Sequence, residues 1–166
     1  MSSESTQAAS RDGSVYYFAY GSNMDPVRFE HRVGRWKSVQ RAALSGHRLR
    51  FSANVQSEGG GGAVVDTAAD SVVDGVLFEI TEDQLAAMDR EEFDPSRNTA
   101  GLGRRQRVDV ETAEGVVAAE VYTITDDGRH AAPSPTYLAH IVDGLRAAGY
   151  GDDAVARVHA AADRAR

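Results

Sequence analysis

Cysteine is absent from this 166-residue chain. That excludes a disulfide framework, a thiolate metal site and a cysteine nucleophile, so the fold must stand on packing alone. Lysine is nearly absent: Lys37 is the sole one among 18 basic residues, which suggests a GC-rich or salt-adapted source rather than any particular chemistry. Positive charge is short overall. The net charge of −7 argues against a nucleic-acid partner, for which a basic stripe is expected. No apolar run approaches the length of a membrane span, and the N-terminus lacks a basic segment followed by a hydrophobic core. The chain is accordingly read as cytoplasmic, with no membrane partner. Aromatic residues are only 7 % of the sequence, yet Tyr16, Tyr17, Phe18 and Tyr20 crowd into one short stretch.

With 42 % hydrophobic and 26 % charged residues, the composition is that of an ordinary globular protein long enough to bury a core. Residues 1–13 lack periodicity and read as a disordered lead-in to a single domain over 14–166. Val15 to Tyr20 has the β-branched and aromatic content of a strand. Gly21 then turns the chain, Asp25 reads as an N-cap, and Pro26 suits the first helical position. The connecting Gly21-Ser22-Asn23-Met24 can present backbone N–H groups to a carboxylate, a phosphate or a polarised carbonyl oxygen. In the plainer alternative Ser22 or Asn23 merely satisfies nearby amides. The helix that follows is expected to end near Gly34.

Ala42 to Phe51 alternates as a half-covered strand does. The run Gly59 to Gly62 lacks the Lys-Ser/Thr of a phosphate-binding loop and reads as a flexible loop or a close backbone approach to ligand. Val72 to Ile80 reads as a strand interrupted at Asp74-Gly75. Thr81 and Gln84 form a capping box that opens a helix. Leu85 and Met88 share its buried face, and Glu92, almost two whole turns beyond Leu85, points to the same side, flanked by Asp89. Phe93 to Gly103 reads as loop. Arg107 to Thr112 and Val116 to Ile124 form a hairpin, and Asp126-Asp127-Gly128 closes its second strand. Ser134 and Pro135 start a helix with Tyr137, Ile141 and Leu145 on its buried stripe. A last helix from about Asp152 carries Val155, Val158 and Ala162 on a thin apolar face and reads as peripheral. The expected fold class is α+β: a small mixed β-barrel or strongly curved sheet flanked by a few helices.

Glu92 leads the candidates for chemistry. Beside Leu85, Met88 and Phe93 a carboxylic acid would be desolvated, which raises its pKa toward the range useful for proton transfer; the alternative is a solvated glutamate just past a helix end. The histidines at positions 31, 47, 130, 140 and 159 show no metal-ligand spacing, so no metal is assigned, and His140 reads as a packing or surface residue. Neither Ser22 nor Ser134 has a nearby histidine-plus-acid pattern. Arg104, Arg105 and Arg107 could attract an anionic substrate, but three arginines beginning an alternating strand read rather as a solvated face or as partners for Glu91 and Asp94.

Tyr17-Phe18-Ala19-Tyr20-Gly21-Ser22-Asn23-Met24, Met88-Asp89-Arg90-Glu91-Glu92 and Pro133-Ser134-Pro135-Thr136-Tyr137 resemble, in order and spacing, the signatures of the gamma-glutamylcyclotransferase-like (AIG2-like) proteins. Leu44 to Phe51 and Asp74 to Phe78 are similar to that family too. The resemblance spans roughly Val15 to Tyr150. It implies a barrel-centred α+β fold and formation of 5-oxoproline from a small γ-glutamyl substrate, with release of an amine or amino acid and no cofactor. Residue by residue, it implies that Tyr20, Gly21, Ser22 and Asn23 bind the glutamyl portion, that Glu92 is the general base and acid, and that Tyr137 lines the pocket. The sequence departs from the family pattern at Phe93, where many relatives have glycine, and at Gly101-Leu102-Gly103, which lacks a tyrosine often found there. A reading of a different class is a domain that keeps the pocket and binds a small carboxylated ligand or a protein without turnover.

Overall fold

The structure, a computed structural model, describes residues 13–94, 103–124 and 128–166. Almost all of the expected lead-in, most of the 93–103 loop, including Gly101-Leu102, and Asp126-Asp127 lie outside the described residues. β1 (Ser14–Ala19) is the expected aromatic strand. β2 (Ser38–Ser57) and β3 (Gly60–Thr81) form one long antiparallel hairpin, and β4 (Gly103–Thr112) and β5 (Gly115–Ile124) form a second. The strands close into a barrel in the order β1-β3-β2-β4-β5, and β5 meets β1 in parallel at Glu120 opposite Tyr17. Closure joins the first and last strands of the order, where an open five-stranded sheet would have two edges to shield.

Neighbouring strand residues point to opposite faces, and the core divides accordingly. Phe18, Leu44, Val65, Val73, Leu77, Val110 and Val121 belong to one buried cluster. Tyr17, Phe78, Ile80 and Tyr122, their alternating neighbours or near neighbours, belong to a second cluster shared with the helices. At the centre of the second, Phe29 and Phe78 stack with ring centroids 4.0 Å apart. Three helices start on side-chain caps. The Asp25 carboxylate accepts from Val27 N–H at 3.0 Å ahead of α1 (Pro26–Val33). Thr81 and Gln84 exchange bonds of 2.9 and 3.1 Å ahead of α2 (Glu82–Glu92). Ser134 accepts from Tyr137 N–H at 3.1 Å ahead of α3 (Pro135–Ala147). No helix among the described residues is long and apolar enough to cross a membrane.

Three local expectations are corrected. The glycine run is not a flexible loop: Glu58 and Gly59, at φ 53° and 88°, make the hairpin turn, and Gly60 to Gly62 begin β3. What approaches this backbone closely is more backbone. Gly61 N–H donates to the Ala132 carbonyl at 3.0 Å, and a Cβ at Gly61 would stand 2.1 Å from the Ala131 oxygen. Asp74-Gly75 does not interrupt β3; the pairing with β2 slips earlier, between Ser45 opposite Val72 and His47 opposite Thr67. There Asp70 adopts φ 65°. The last helix, α4 (Asp152–Arg164), is not peripheral: Ala154, Val155, Val158, Ala161 and Ala162 are buried in the helical cluster. Alanines add little to an apolar stripe read from sequence, but their small size lets the helix lie close.

Candidate active site

β1 ends at Ala19, and a single turn of 3-10 helix over Ser22–Met24 leads into α1. Within it, Met24 N–H bonds to the Gly21 carbonyl and Asp25 N–H to the Ser22 carbonyl, each at 3.1 Å. The N–H groups of Ser22 and Asn23 precede the first such bond and have no intrahelical acceptor. Gly21 passes so close to the opposite wall that a Cβ there would lie 3.2 Å from both the Ala63 methyl and the Tyr137 hydroxyl.

Asn23, 5 % exposed, ties this turn to the end of α2. Its Nδ2 donates to the Tyr17 hydroxyl at 3.0 Å and to Glu92 Oε2 at 3.2 Å, while its Oδ1 accepts from Arg32 Nη1 at 3.1 Å. Arg32 Nη1 also stands 3.7 Å from Glu92 Oε2. The carboxylate that spacing aimed at the apolar face does come inward, but its surroundings differ from the dry pocket expected. Its side chain is 28 % exposed and faces an amide and a guanidinium.

Glu92 and the turn line a common recess of about 50 Å³ together with Tyr17, Tyr20, Ala63, Tyr122 and Tyr137. A second, outer cavity of about 70 Å³ shares Tyr20, Ser22, Ala63, Glu92, Tyr122 and Tyr137 with the recess and adds Arg32, Val55, Ser57, Val64, Glu91, Phe93, Gly103, Thr123 and Ile124. All the residues singled out from sequence, namely Tyr20, Gly21, Ser22, Asn23, Glu92 and Tyr137, are thus brought to one place. Ser22 is not a free hydroxyl, because its Oγ accepts from Arg28 Nε at 3.1 Å. Tyr137 is fixed by Ala63 N–H, which donates to its hydroxyl at 3.0 Å. Tyr20 donates to the carbonyl of Tyr122.

Four tyrosines therefore surround one carboxylate. Burial pushes the hydroxyls of Tyr17 and Tyr20 above the ordinary phenolic range, and the charge on Glu92 adds to it. Burial does the same for Tyr122, reinforced by its 2.6 Å bond to Asp89, and for Tyr137. These shifts keep the hydroxyls protonated, as hydrogen-bonding groups, around neutral pH.

Tyr17, Arg32 and Tyr122 were not singled out by sequence reasoning. Arg28 and Arg32 stand one helical turn apart immediately after the loop, a spacing that marks a shared face; Tyr122 gave no comparable signal. Of the arginines of β4, Arg105 bridges Asp89 at 2.9 Å and Glu120 at 2.7 Å, and Arg107 reaches Glu120 at 3.1 Å. His140 Nδ1–H donates to Asp25 Oδ2 at 2.8 Å beside the cap of α1. Among the described residues no group of histidine and acidic side chains is disposed to hold a metal ion.

A closed barrel with a carboxylate at a helix end facing a strand-to-helix turn defines a pocket of small-molecule size. The chain belongs to the family described as gamma-glutamyl cyclotransferase, AIG2-like, whose profile matches residues 17–139. No curated protein sequence matches it. Among solved structures, one called gamma-glutamyl cyclotransferase is 27 % identical with a TM-score of 0.74, the match covering 89 % of this chain and 87 % of the other. An uncharacterized protein from Homo sapiens is 28 % identical with a TM-score of 0.75, over 89 % and 88 % of the two chains. A gamma-glutamyl cyclotransferase specific to glutathione from yeast is 15 % identical with a TM-score of 0.59, over 93 % and 97 %; at that identity the likeness is one of fold alone.

Proposed function

We propose that this protein is a gamma-glutamyl cyclotransferase that forms 5-oxoproline from a γ-glutamyl amino acid or amine, with Glu92 moving the protons. The observation that carries the reading is the bond of 3.2 Å between Glu92 and Asn23, which holds the Glu92 carboxylate beside the backbone turn in one recess. In this reading the turn from Gly21 to Asn23 receives the glutamyl portion, and its N–H groups face the oxygen that gains charge as the carbonyl is attacked. The substrate's α-amine attacks its own γ-carbonyl carbon. Glu92 first takes a proton from the α-ammonium group, which frees the amine to attack; the new carbon–nitrogen bond forms, the bond to the leaving nitrogen breaks as Glu92 returns that proton to it, and the second proton shed by the ring nitrogen passes to the released amine. The reaction is redox-neutral and consumes no second substrate.

Folding the glutamyl chain back on itself is the step a tight recess assists, since well-oriented intramolecular reactions gain effective molarities up to about 10⁵–10⁸ M. Tyr20, Tyr122 and Tyr137, uncharged and fixed, shape the recess without competing for the proton. The test is release of 5-oxoproline by the wild-type protein across γ-glutamyl amino acids, γ-glutamyl amines and glutathione. Turnover of at least one of them is expected. Ligand binding without product from any of them would make the chain a binding domain instead.

A further inference from the structure

Val27, Val39, Val72, Phe93 and Val116 are the large hydrophobic residues left exposed among the described residues, and Phe93, at 39 %, is the single aromatic one. It follows Glu92 directly, and its ring meets Tyr122 edge-on with centroids 5.6 Å apart at 73°. Tyr122 is itself held by its 2.6 Å bond to Asp89, so the platform on which Phe93 rests is fixed. The ring lies in the wall of the outer cavity with Val55 and Ile124 and is absent from the inner recess, whereas Glu92 belongs to both. For a γ-glutamyl compound whose glutamyl end occupies the recess at Gly21 to Asn23, with its scissile bond at Glu92, the outer cavity that Glu92 also lines is, among the described residues, the adjoining space for the leaving group.

We propose that Phe93 is a specificity-determining residue that, with Val55 and Ile124, forms an apolar leaving-group site selecting γ-glutamyl compounds whose released amine carries an aromatic or large apolar side chain. This inference rests on the cyclotransferase reading. An apolar group that leaves water for such a wall gains in proportion to the area covered. Exposed as it is, the Phe93 ring has a face that a substrate can cover. Small differences in an apolar pocket are worth about 10- to 200-fold in kcat/KM. A wall open on one side falls at the low end.

The experiment measures 5-oxoproline formation from two matched pairs, γ-glutamylphenylalanine against γ-glutamylglycine and γ-glutamylphenethylamine against γ-glutamylmethylamine, for the wild type, Phe93→Ala and Phe93→Leu. The ratio of kcat/KM within each pair is insensitive to the fraction of enzyme folded. In the wild type the aromatic member of each pair is expected to be favoured by about tenfold or more. Phe93→Ala should lower that ratio about tenfold, and Phe93→Leu should restore most of it. Equal use of both members by the wild type, or an unchanged ratio in Phe93→Ala, overturns the inference while leaving the cyclotransferase reading intact. No product from these four compounds by a protein that turns over another γ-glutamyl compound overturns the inference alone, and no product from the four or from the wider panel overturns the reading and the inference together.

Discussion

Replacement of Asn23 by alanine is the perturbation that separates a positioned carboxylate from an incidental one. The amide makes four side-chain bonds: to Tyr17 at 3.0 Å, to Glu92 at 3.2 Å, from Arg32 at 3.1 Å and a weak one to the Met88 sulfur at 3.5 Å. Neutral bonds contribute about 0.5–1.5 kcal/mol net and those to charged groups about 1.5–3 kcal/mol. Arg32 and Glu92, at 12 % and 28 % side-chain exposure, can recover part of the loss through water. A total near 3 kcal/mol follows, which for a chain of this size lowers Tm by about 6–12 °C. The effect on turnover is separate: Glu92 would lose the group that holds it toward the turn, and a displacement of about 1 Å at a reacting group costs about 10²-fold. Calorimetry and 5-oxoproline release read the two effects independently. Asn23→Asp adds a second test, because a carboxylate in place of the amide repels Glu92 and makes one of the two acids harder to ionise. The acidic limb of kcat/KM should then move to higher pH. A Tm within about 2 °C of wild type, with unchanged turnover in Asn23→Ala, would refute the view that this amide organises the site.

Other expectations follow from the same contacts. The hydroxyls of Tyr17, Tyr20, Tyr122, Tyr137 and Tyr150 are all raised above the usual value near 10 by burial; the unfolded chain ionises first, so their contribution to stability is whole below about pH 10 and is lost above it. Alkaline titration should therefore show tyrosinate absorbance rising cooperatively with loss of near-ultraviolet circular dichroism, and gradual ionisation in the folded state would contradict this. Arg50 is 5 % exposed, binds Asp66 at 2.6 and 3.1 Å and donates to the Arg129 carbonyl at 3.0 Å. Because Asp66 keeps 31 % exposure, Arg50→Ala should cost about 2–3 kcal/mol, below the range for breaking a fully buried pair, and denaturant unfolding measures it. Ser134→Ala removes the cap of α3 and should cost about 1 kcal/mol, visible as a Tm lower by about 2–4 °C.

The parts of the fold and site that sequence makes legible are those determined locally. Asp25, Thr81 and Ser134 cap helices through bonds to residues two or three positions away, and a capping pattern is complete within such a window. The inward direction of Glu92 followed from helical periodicity in the same way. What surrounds Glu92 was not legible, because Asn23 lies 69 positions earlier in the chain and only barrel closure brings it there. The bond between Tyr20 and Tyr122 spans 102 positions, and nothing near either residue announces the other. The run Gly59 to Gly62 illustrates the same limit: four consecutive glycines fit a flexible loop as well as a strand whose backbone must pass another within contact distance. Only the path of residues 131–134 decides between them. For α4 the reading failed for a different reason. Burial there depends on alanines, whose weak hydrophobicity understates how closely the helix packs.

The central claim is that Glu92 carries protons for an intramolecular cyclisation, and the most direct measurement is kcat for 5-oxoproline formation by Glu92→Gln at an unchanged Tm, on the substrate the wild type uses best. Glutamine keeps the length and can still meet Asn23 and Arg32 but cannot accept a proton from an ammonium group. General acid–base groups contribute about 10²–10⁴-fold, so a fall within that range with the fold preserved is predicted. A Glu92→Gln variant that turns over within about threefold of wild type, far short of that contribution, would contradict the claim.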